Sequence, residues 1–166
     1  MAGLSGSGKS TTAQWLARQS GAIRLRSDAV RKHLAGISIH ETGSDDIYTP
    51  EMSAKTYDCL ISLGVDLASA GYKVILDAKF DRQAVRQRAI AATTQSNLSL
   101  TFLHCTAPPD VLKERVAKRS GDIADATVAI LARQRMEPFA AESTVITLDT
   151  TEPKETIQQV VGGVFA

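Results

Sequence analysis

Eight consecutive residues near the start of the chain, Gly3-Leu4-Ser5-Gly6-Ser7-Gly8-Lys9-Ser10, follow the spacing G-x-x-x-x-G-K-[ST]. Each part of that pattern has a chemical use. Glycines let a loop curl until successive backbone N–H groups converge on one point, and the helix that follows adds its positive end. Lys9 supplies a point charge for the β- and γ-phosphates of a nucleotide, and the Ser10 hydroxyl is placed to ligate Mg²⁺. The expected nucleotide-binding residues are therefore Gly3, Ser5, Gly6, Ser7, Gly8, Lys9, Ser10 and Thr11, with ATP and Mg²⁺ as cofactors. The alternative is a glycine-rich turn that binds nothing. Against it, a helix-forming stretch follows at once, as the mechanism requires.

Two carboxylates follow short apolar runs. Asp28 comes after Ala22–Arg26 and Asp77 after Tyr72–Leu76. In a parallel sheet the strands end at one edge, and ligands bind there. Asp77 is expected to hold Mg²⁺, directly or through water; its alternative is a strand-end cap. Asp28 has two readings, a helix N-cap or a base that takes the acceptor's proton. Arg31, three residues on, shares its helix face and would grip an anionic acceptor or stabilise charge.

Arginines form a further set. Arg115 and Arg119 stand at i, i+4 just before a polar loop, Ser120 to Asp125, from which they could close over a transferring phosphoryl group. Their alternative is a solvated face with Lys113, Glu114 and Lys118. Arg82 and Arg86 share a helix face near the acceptor side, where a solvated face is the plainer reading. His33, His40 and His104 have no metal-site spacing, and Trp15 reads as core packing.

The elements that must position these groups alternate along the chain. Helices are expected over Ser10–Gln19, Ser27–Leu34, Pro50–Ala70 behind a Thr49 cap, Asp81–Gln95, Pro108–Arg119, Asp125–Glu137 and Pro153–Val161. Strands are expected over Ala22–Arg26, Tyr72–Leu76, Leu98–Cys105 and Val145–Leu148. His40–Thr49 reads as a mobile loop. Alternating strands and helices argue a three-layer α/β fold with a parallel sheet, in one domain over residues 1–166. A phosphate loop of this kind normally follows a buried strand, so the first strand is expected upstream of Met1.

Composition sets the outer bounds. The chain has 166 residues, 43% hydrophobic and 22% charged, the balance of a globular domain. Its net charge of +1 provides no global basic field for nucleic acid or membrane. Cys59 and Cys105 lack metal spacing and read as free thiols in a reducing cytoplasm. No apolar stretch approaches membrane-spanning length.

Five stretches in this order resemble a known family: AGLSGSGKST, RSDAVRKHLAG, GYKVILDAKFDRQAVR, APPDVLKERVAKR with DIADA, and TVITLDT. The family is the P-loop kinase group called AAA-type ATPase domain 33, found alone or fused to aminoglycoside-phosphotransferase-like domains. The resemblance covers nearly the whole chain. It implies a strand order 2-3-1-4-5, an arginine-bearing helical lid near Ser120–Asp125, and Mg-ATP as donor. Asp28-x-x-Arg31 resembles the acceptor motif of polynucleotide 5′-hydroxyl kinases and adenylylsulfate kinases. Two departures stand out: Lys79 replaces the family's threonine after Asp77-Ala78, and Ala124 replaces a serine before the lid aspartate. The expected activity is transfer of the ATP γ-phosphoryl group to a hydroxyl of a small acceptor. Its alternatives are a polynucleotide 5′-hydroxyl kinase and a regulatory module that binds ATP without turnover.

Overall fold

The computed structural model describes residues 1–118, 127–141 and 144–165. In chain order these form α1 (Lys9–Ser20), β1 (Ile23–Arg26), α2 (Ser27–Leu34), a 3₁₀ turn (Asp45–Tyr48), α3 (Pro50–Ser69), β2 (Val74–Asp77) and α4 (Gln83–Gln95). There follow β3 (Phe102–Thr106), α5 (Pro109–Ala117), α6 (Val128–Arg133), β4 (Val145–Asp149) and α7 (Lys154–Gly162).

Local chemistry explains the boundaries. Gly21 stops α1 by taking a left-handed φ of 68°, which a side chain resists. The Thr49 hydroxyl accepts from the Met52 N–H at 3.1 Å and caps α3, with Pro50 in the first turn where no donor is lost. Further along α3, a Cβ on Gly64 would lie 2.8 Å from the Leu76 side chain. Glycine there lets α3 rest directly on β2. The expected mobile stretch between residues 40 and 49 contains the 3₁₀ turn, tied down by Arg31 and Lys32. The Lys32 ammonium is buried and donates to the Glu41 carbonyl at 2.6 Å.

The strands pair in parallel. β1 runs beside β2 with Ile23 opposite Val74 and Arg26 opposite Asp77. β3 runs beside β4 with Phe102 opposite Val145 and Thr106 opposite Asp149. Among the described residues, Met1 and Ala2 stand between the two pairs. The Met1 amine donates to the Leu76 carbonyl at 2.7 Å, and the Ala2 N–H to Leu103 at 2.7 Å. The Cys105 N–H returns to the Ala2 carbonyl at 2.9 Å. An isolated bridge from Ala2 to His104 thus holds the centre where the strand order 2-3-1-4-5 calls for a full strand.

One apolar cluster packs Ala13, Leu16 and Val161 of α1 and α7 against Ile75, Leu103 and Leu148 of the strands. A second packs Tyr57, Leu60 and Ile61 of α3 and Val85 and Ala89 of α4 around Phe80 and Phe102. Helices cover both faces of parallel strands, which is the expected α/β class. Because the pairs are parallel, the loop before α1, the start of α2 and the end of β2 meet at one edge.

Candidate nucleotide and acceptor site

The start of α1 breaks the ordinary rules of helix design. Its N-cap is Gly8, at φ 83°; no side chain caps it, its first turn holds no acid, and Lys9 is its first residue. A cation at the positive end of a helix is unfavourable, and uncapped N–H groups want an acceptor. Such local conflict is expected where the helix end serves an anion. The Lys9 ammonium meanwhile donates to the Leu4 carbonyl at 3.0 Å. Ser7 Oγ is buried and makes no hydrogen bond.

Glycine in this loop also permits close packing. A Cβ on Gly3 would lie 2.4 Å from the Cys105 carbonyl oxygen, and one on Gly6 2.6 Å from that of Leu112. The loop can therefore lie flush between β3 and α5. Beside it opens a cavity of about 700 Å³, whose walls include Ser10, Thr11, Trp15, Arg115 and Thr150. That volume suits a small-molecule ligand. Arg115 lies in this wall: its guanidinium donates to Thr150 Oγ1 at 2.7 Å and to the Thr150 carbonyl at 2.9 Å. Arg119 and the stretch Ser120–Asp125 lie outside the described residues.

On the other side of the loop, Asp28 is the second residue of α2, and the N-cap position belongs to Arg26. The capping role read for Asp28 is therefore corrected: the helix begins two residues too early for it. Burial pushes the Asp28 carboxyl above its ordinary pKa, opposed by the charges of Arg26, Lys9 and Arg31. Those neighbours tie Asp28 electrostatically to both the phosphate loop and Arg31. Arg31 is buried at 8% exposure, turned toward the segment before α3. It donates to the Ile47 carbonyl at 3.0 Å and Ser53 Oγ at 3.3 Å, and lies 5.0 Å from the Tyr48 ring centroid. Its Nε makes no hydrogen bond.

Asp77 ends β2 with its side chain 3% exposed. Its Oδ2 accepts from Arg24 Nε at 3.1 Å and from Arg24 Nη2 at 2.5 Å, with Arg26 Nε 3.8 Å away. The carboxylate expected to serve a metal is thus engaged by arginine from the neighbouring strand. Among the described residues no group of three or more His, Cys, Asp or Glu side chains could hold a metal. The donor set still fits Mg²⁺ accompanying a nucleotide, because the Ser10 hydroxyl at the cavity wall is a hard oxygen and phosphates bring the rest. Asp77, shared with arginine, fits only as an outer partner.

Two further arginines part company. Arg82 is exposed at the N-cap of α4, the solvated position that was its plainer reading. Arg86 is 1% exposed and contradicts both of its readings. Its guanidinium donates to the carbonyls of Phe80 at 2.7 Å, Glu137 at 3.0 Å and Pro138 at 2.5 Å, and lies 4.3 Å from the Phe139 ring centroid. It is a structural staple, because α4 turns this residue inward beneath residues 137–139. Lys79, the family departure, pairs with Asp81 at 3.0 Å, and its carbonyl accepts from the Gly3 N–H at 2.9 Å.

Sequence reading missed Arg24, Tyr57 and Gln134. Arg24 was legible in part, since it alternates with Arg26 on a short strand ending at the site. Tyr57 accepts from the Phe80 N–H at 3.2 Å and so holds a residue at φ 46°, in the left-handed region. Only the fold could bring it there. Gln134 clamps Ser5 across 129 residues of chain, which no local pattern signals.

Solved structures share the architecture. A sugar kinase from Janibacter sp. HTCC2649 superposes with a TM-score of 0.69 at 24% identity, over 98% of this chain and 91% of its own. The Mycobacterium tuberculosis APS kinase in complex with AMPPNP and APS gives 0.74 at 21% identity, over 99% and 95%. A gluconokinase from Sinorhizobium meliloti 1021 gives 0.61 at 24% identity, over 98% and 88%. At these identities the likeness establishes the fold.

In sequence, the chain is 31% identical over 159 residues to uncharacterized proteins of Mycobacterium tuberculosis and Mycobacterium bovis. The match covers 92% of this chain but only 31% of those relatives, so the chain spans about a third of their length. The family model AAA_33, described as an AAA domain, matches residues 1–139, from the phosphate loop through the Glu137–Phe139 segment. On that match and on this fold, the chain belongs to the AAA_33 family and is built as a P-loop NTPase domain.

Proposed function

We propose that the chain is a Mg-ATP-dependent kinase that phosphorylates a hydroxyl of a small-molecule acceptor. The observation that carries this reading is the uncapped start of α1, where Lys9 stands against the helix dipole and faces a cavity of nucleotide size. Backbone N–H groups from the loop and α1 bind the phosphates. Lys9 exchanges its Leu4 carbonyl partner for phosphate oxygen, and Arg115 lines the nucleotide cavity. The Ser10 hydroxyl would hold Mg²⁺, which would supply positive charge to the phosphate oxygens.

Asp28 is assigned as the base. The acceptor oxygen bonds to the γ-phosphorus, the bond from that phosphorus to the leaving β–γ oxygen breaks, and the hydroxyl proton passes to the Asp28 carboxylate. Arg31, bonded to residue 47 and α3, sits beside Asp28 as the acceptor-side cation. Arg119 remains a candidate lid arginine acting on charge that develops in transfer. The sugar kinase, APS kinase and gluconokinase that share this fold each act on a small molecule according to their names, which supports a small acceptor.

Trp15 is the single tryptophan and lines the cavity, so its fluorescence should change on titration with AMPPNP. ADP release should then be stimulated by at least one member of a panel of sugars, sugar acids, nucleosides, aminoglycosides and 5′-hydroxyl oligonucleotides. Lys9→Ala should fold normally and lose that stimulated release. AMPPNP binding with no acceptor-stimulated release across the panel would replace the enzyme reading with that of a nucleotide-binding module.

A further inference from the structure

Residues 134–137, just after α6, form a strap between two parts of the site that are distant in sequence. The Gln134 carboxamide meets Ser5 twice. Its Oε1 accepts from the Ser5 N–H at 2.9 Å, and its Nε2 donates to Ser5 Oγ at 3.0 Å. Ser5 is buried at 6% exposure inside the phosphate loop. Three residues on, the Glu137 N–H donates to the Asp81 carbonyl at 2.9 Å, and Glu137 Oε2 accepts from the Gln83 N–H at 2.5 Å. The 79–83 turn is also bound to the loop directly, through the Gly3 N–H and the Lys79 carbonyl. Loop, turn and strap therefore close a ring of hydrogen bonds. Arg86 holds the same ring from beneath, through the carbonyls of residues 80, 137 and 138.

A glutamine matched to both polar groups of one loop serine orients that loop more closely than apolar packing would, because each bond fixes a direction. We propose that Gln134 is a positioning residue for the phosphate loop, and that the strap makes the loop and the 79–83 turn respond to each other. Gln134 orients the N–H groups that receive the phosphates, and Glu137 sets where the strap lies. Removing the Glu137 anchor then weakens nucleotide binding although the Glu137 side chain bonds to the turn rather than to the loop. This inference rests on the assignment of the loop as the nucleotide site.

The test is AMPPNP affinity read from Trp15 fluorescence, with thermal melting measured in parallel. Gln134→Ala should weaken binding about tenfold, the size of two neutral hydrogen bonds. Glu137 is exposed, so its variants are expected to fold. Glu137→Ala should weaken binding about threefold, while Glu137→Gln keeps an oxygen for the Gln83 N–H and should bind as the parent does. The double variant Gln134→Ala/Glu137→Ala should bind no worse than Gln134→Ala, because both changes act through one strap. Parent affinity in Glu137→Ala overturns the proposal, as do two effects that simply multiply. A parent chain that fails to bind AMPPNP overturns the nucleotide site itself, and the strap's role with it.

Discussion

At the scale of single residues, the contrast between Asp28 and Asp77 reassigns the two carboxylates. Both end up near the phosphate loop, but Asp77 has arginine bonded to it, whereas burial and the charges of Arg26, Lys9 and Arg31 act on Asp28. Asp28 is the group left able to take a proton. Asp28→Asn keeps the side chain's size and removes its basicity; because Asp28 is not the N-cap, no capping loss complicates the result. Transfer should fall about 10²–10⁴-fold, toward the low end because a loose phosphoryl-transfer transition state asks little of a base. AMPPNP affinity should stay near that of the parent. Burial holds the Asp28 pKa above its ordinary 3.8, and only the ionised form accepts a proton. The acid limb of the pH–rate profile should therefore have its midpoint above 3.8 and vanish in Asp28→Asn. A parent-like transfer rate in that variant would return the site to one without a base. The motif residues around Lys9 were legible because their spacing is itself the mechanism. The arginines were not, since Arg82 and Arg86 share a helix face in sequence and only the packing of residues 137–139 turns one into a staple.

Element by element, the sequence was most legible where a local rule ends a helix. Thr49-Pro50 marked the start of α3 to the residue, and the end of α1 was read within one residue of Ser20, because capping and left-handed φ are local chemistry. The stretch after residue 125 was misread as helical up to Glu137. In the structure α6 ends at Arg133, since Gln134 turns out to Ser5 and the residues before Pro138 bond to the 81–83 turn. At the sheet centre, a strand upstream of Met1 was expected ahead of the phosphate loop. Met1 and Ala2 stand at that centre, and burial of the Met1 ammonium lowers its pKa below the ordinary 8.0. A group with a lowered folded pKa favours its neutral form, so this amine costs stability below pH 8.0 and the cost fades as pH rises toward that value. Below Met1 a narrow apolar slot lies between Ile75 of β2 and Phe102 and Leu103 of β3. Four or five β-branched residues placed ahead of Met1 would replace the ammonium with an amide and extend the ladder into this slot. Such an extended chain should melt several degrees higher and lose the pH dependence of Tm that the amine imposes below 8.0. An equal Tm with and without the extension would mean that the Ala2 bridge already satisfies the centre.

For the molecule as a whole, charge separates a small acceptor from a polynucleotide more cleanly than fold does, because both kinds of substrate suit a P-loop kinase. The chain carries 19 Lys and Arg against 18 Asp and Glu. Several of the basic groups nearest the site are already committed inside the protein: Arg24 to Asp77, Lys79 to Asp81, and Arg86 to three carbonyls. Those groups are not free to track a phosphate backbone, whose binding depends on displacing condensed counterions. An acceptor held by Arg31 and Asp28 meets a few fixed groups in a partly buried site, where salt screens weakly. The KM for the acceptor found in the ADP-release panel should therefore change less than about threefold between about 50 mM and 200 mM salt. A polynucleotide neutralising several phosphates would lose orders of magnitude over that range. Arg31→Ala should raise the same KM, most for an anionic acceptor, while leaving AMPPNP binding unchanged. A steep loss of acceptor affinity with salt, unaltered by Arg31→Ala, would place the acceptor on the protein's outer surface and favour the 5′-hydroxyl polynucleotide reading over the small molecule.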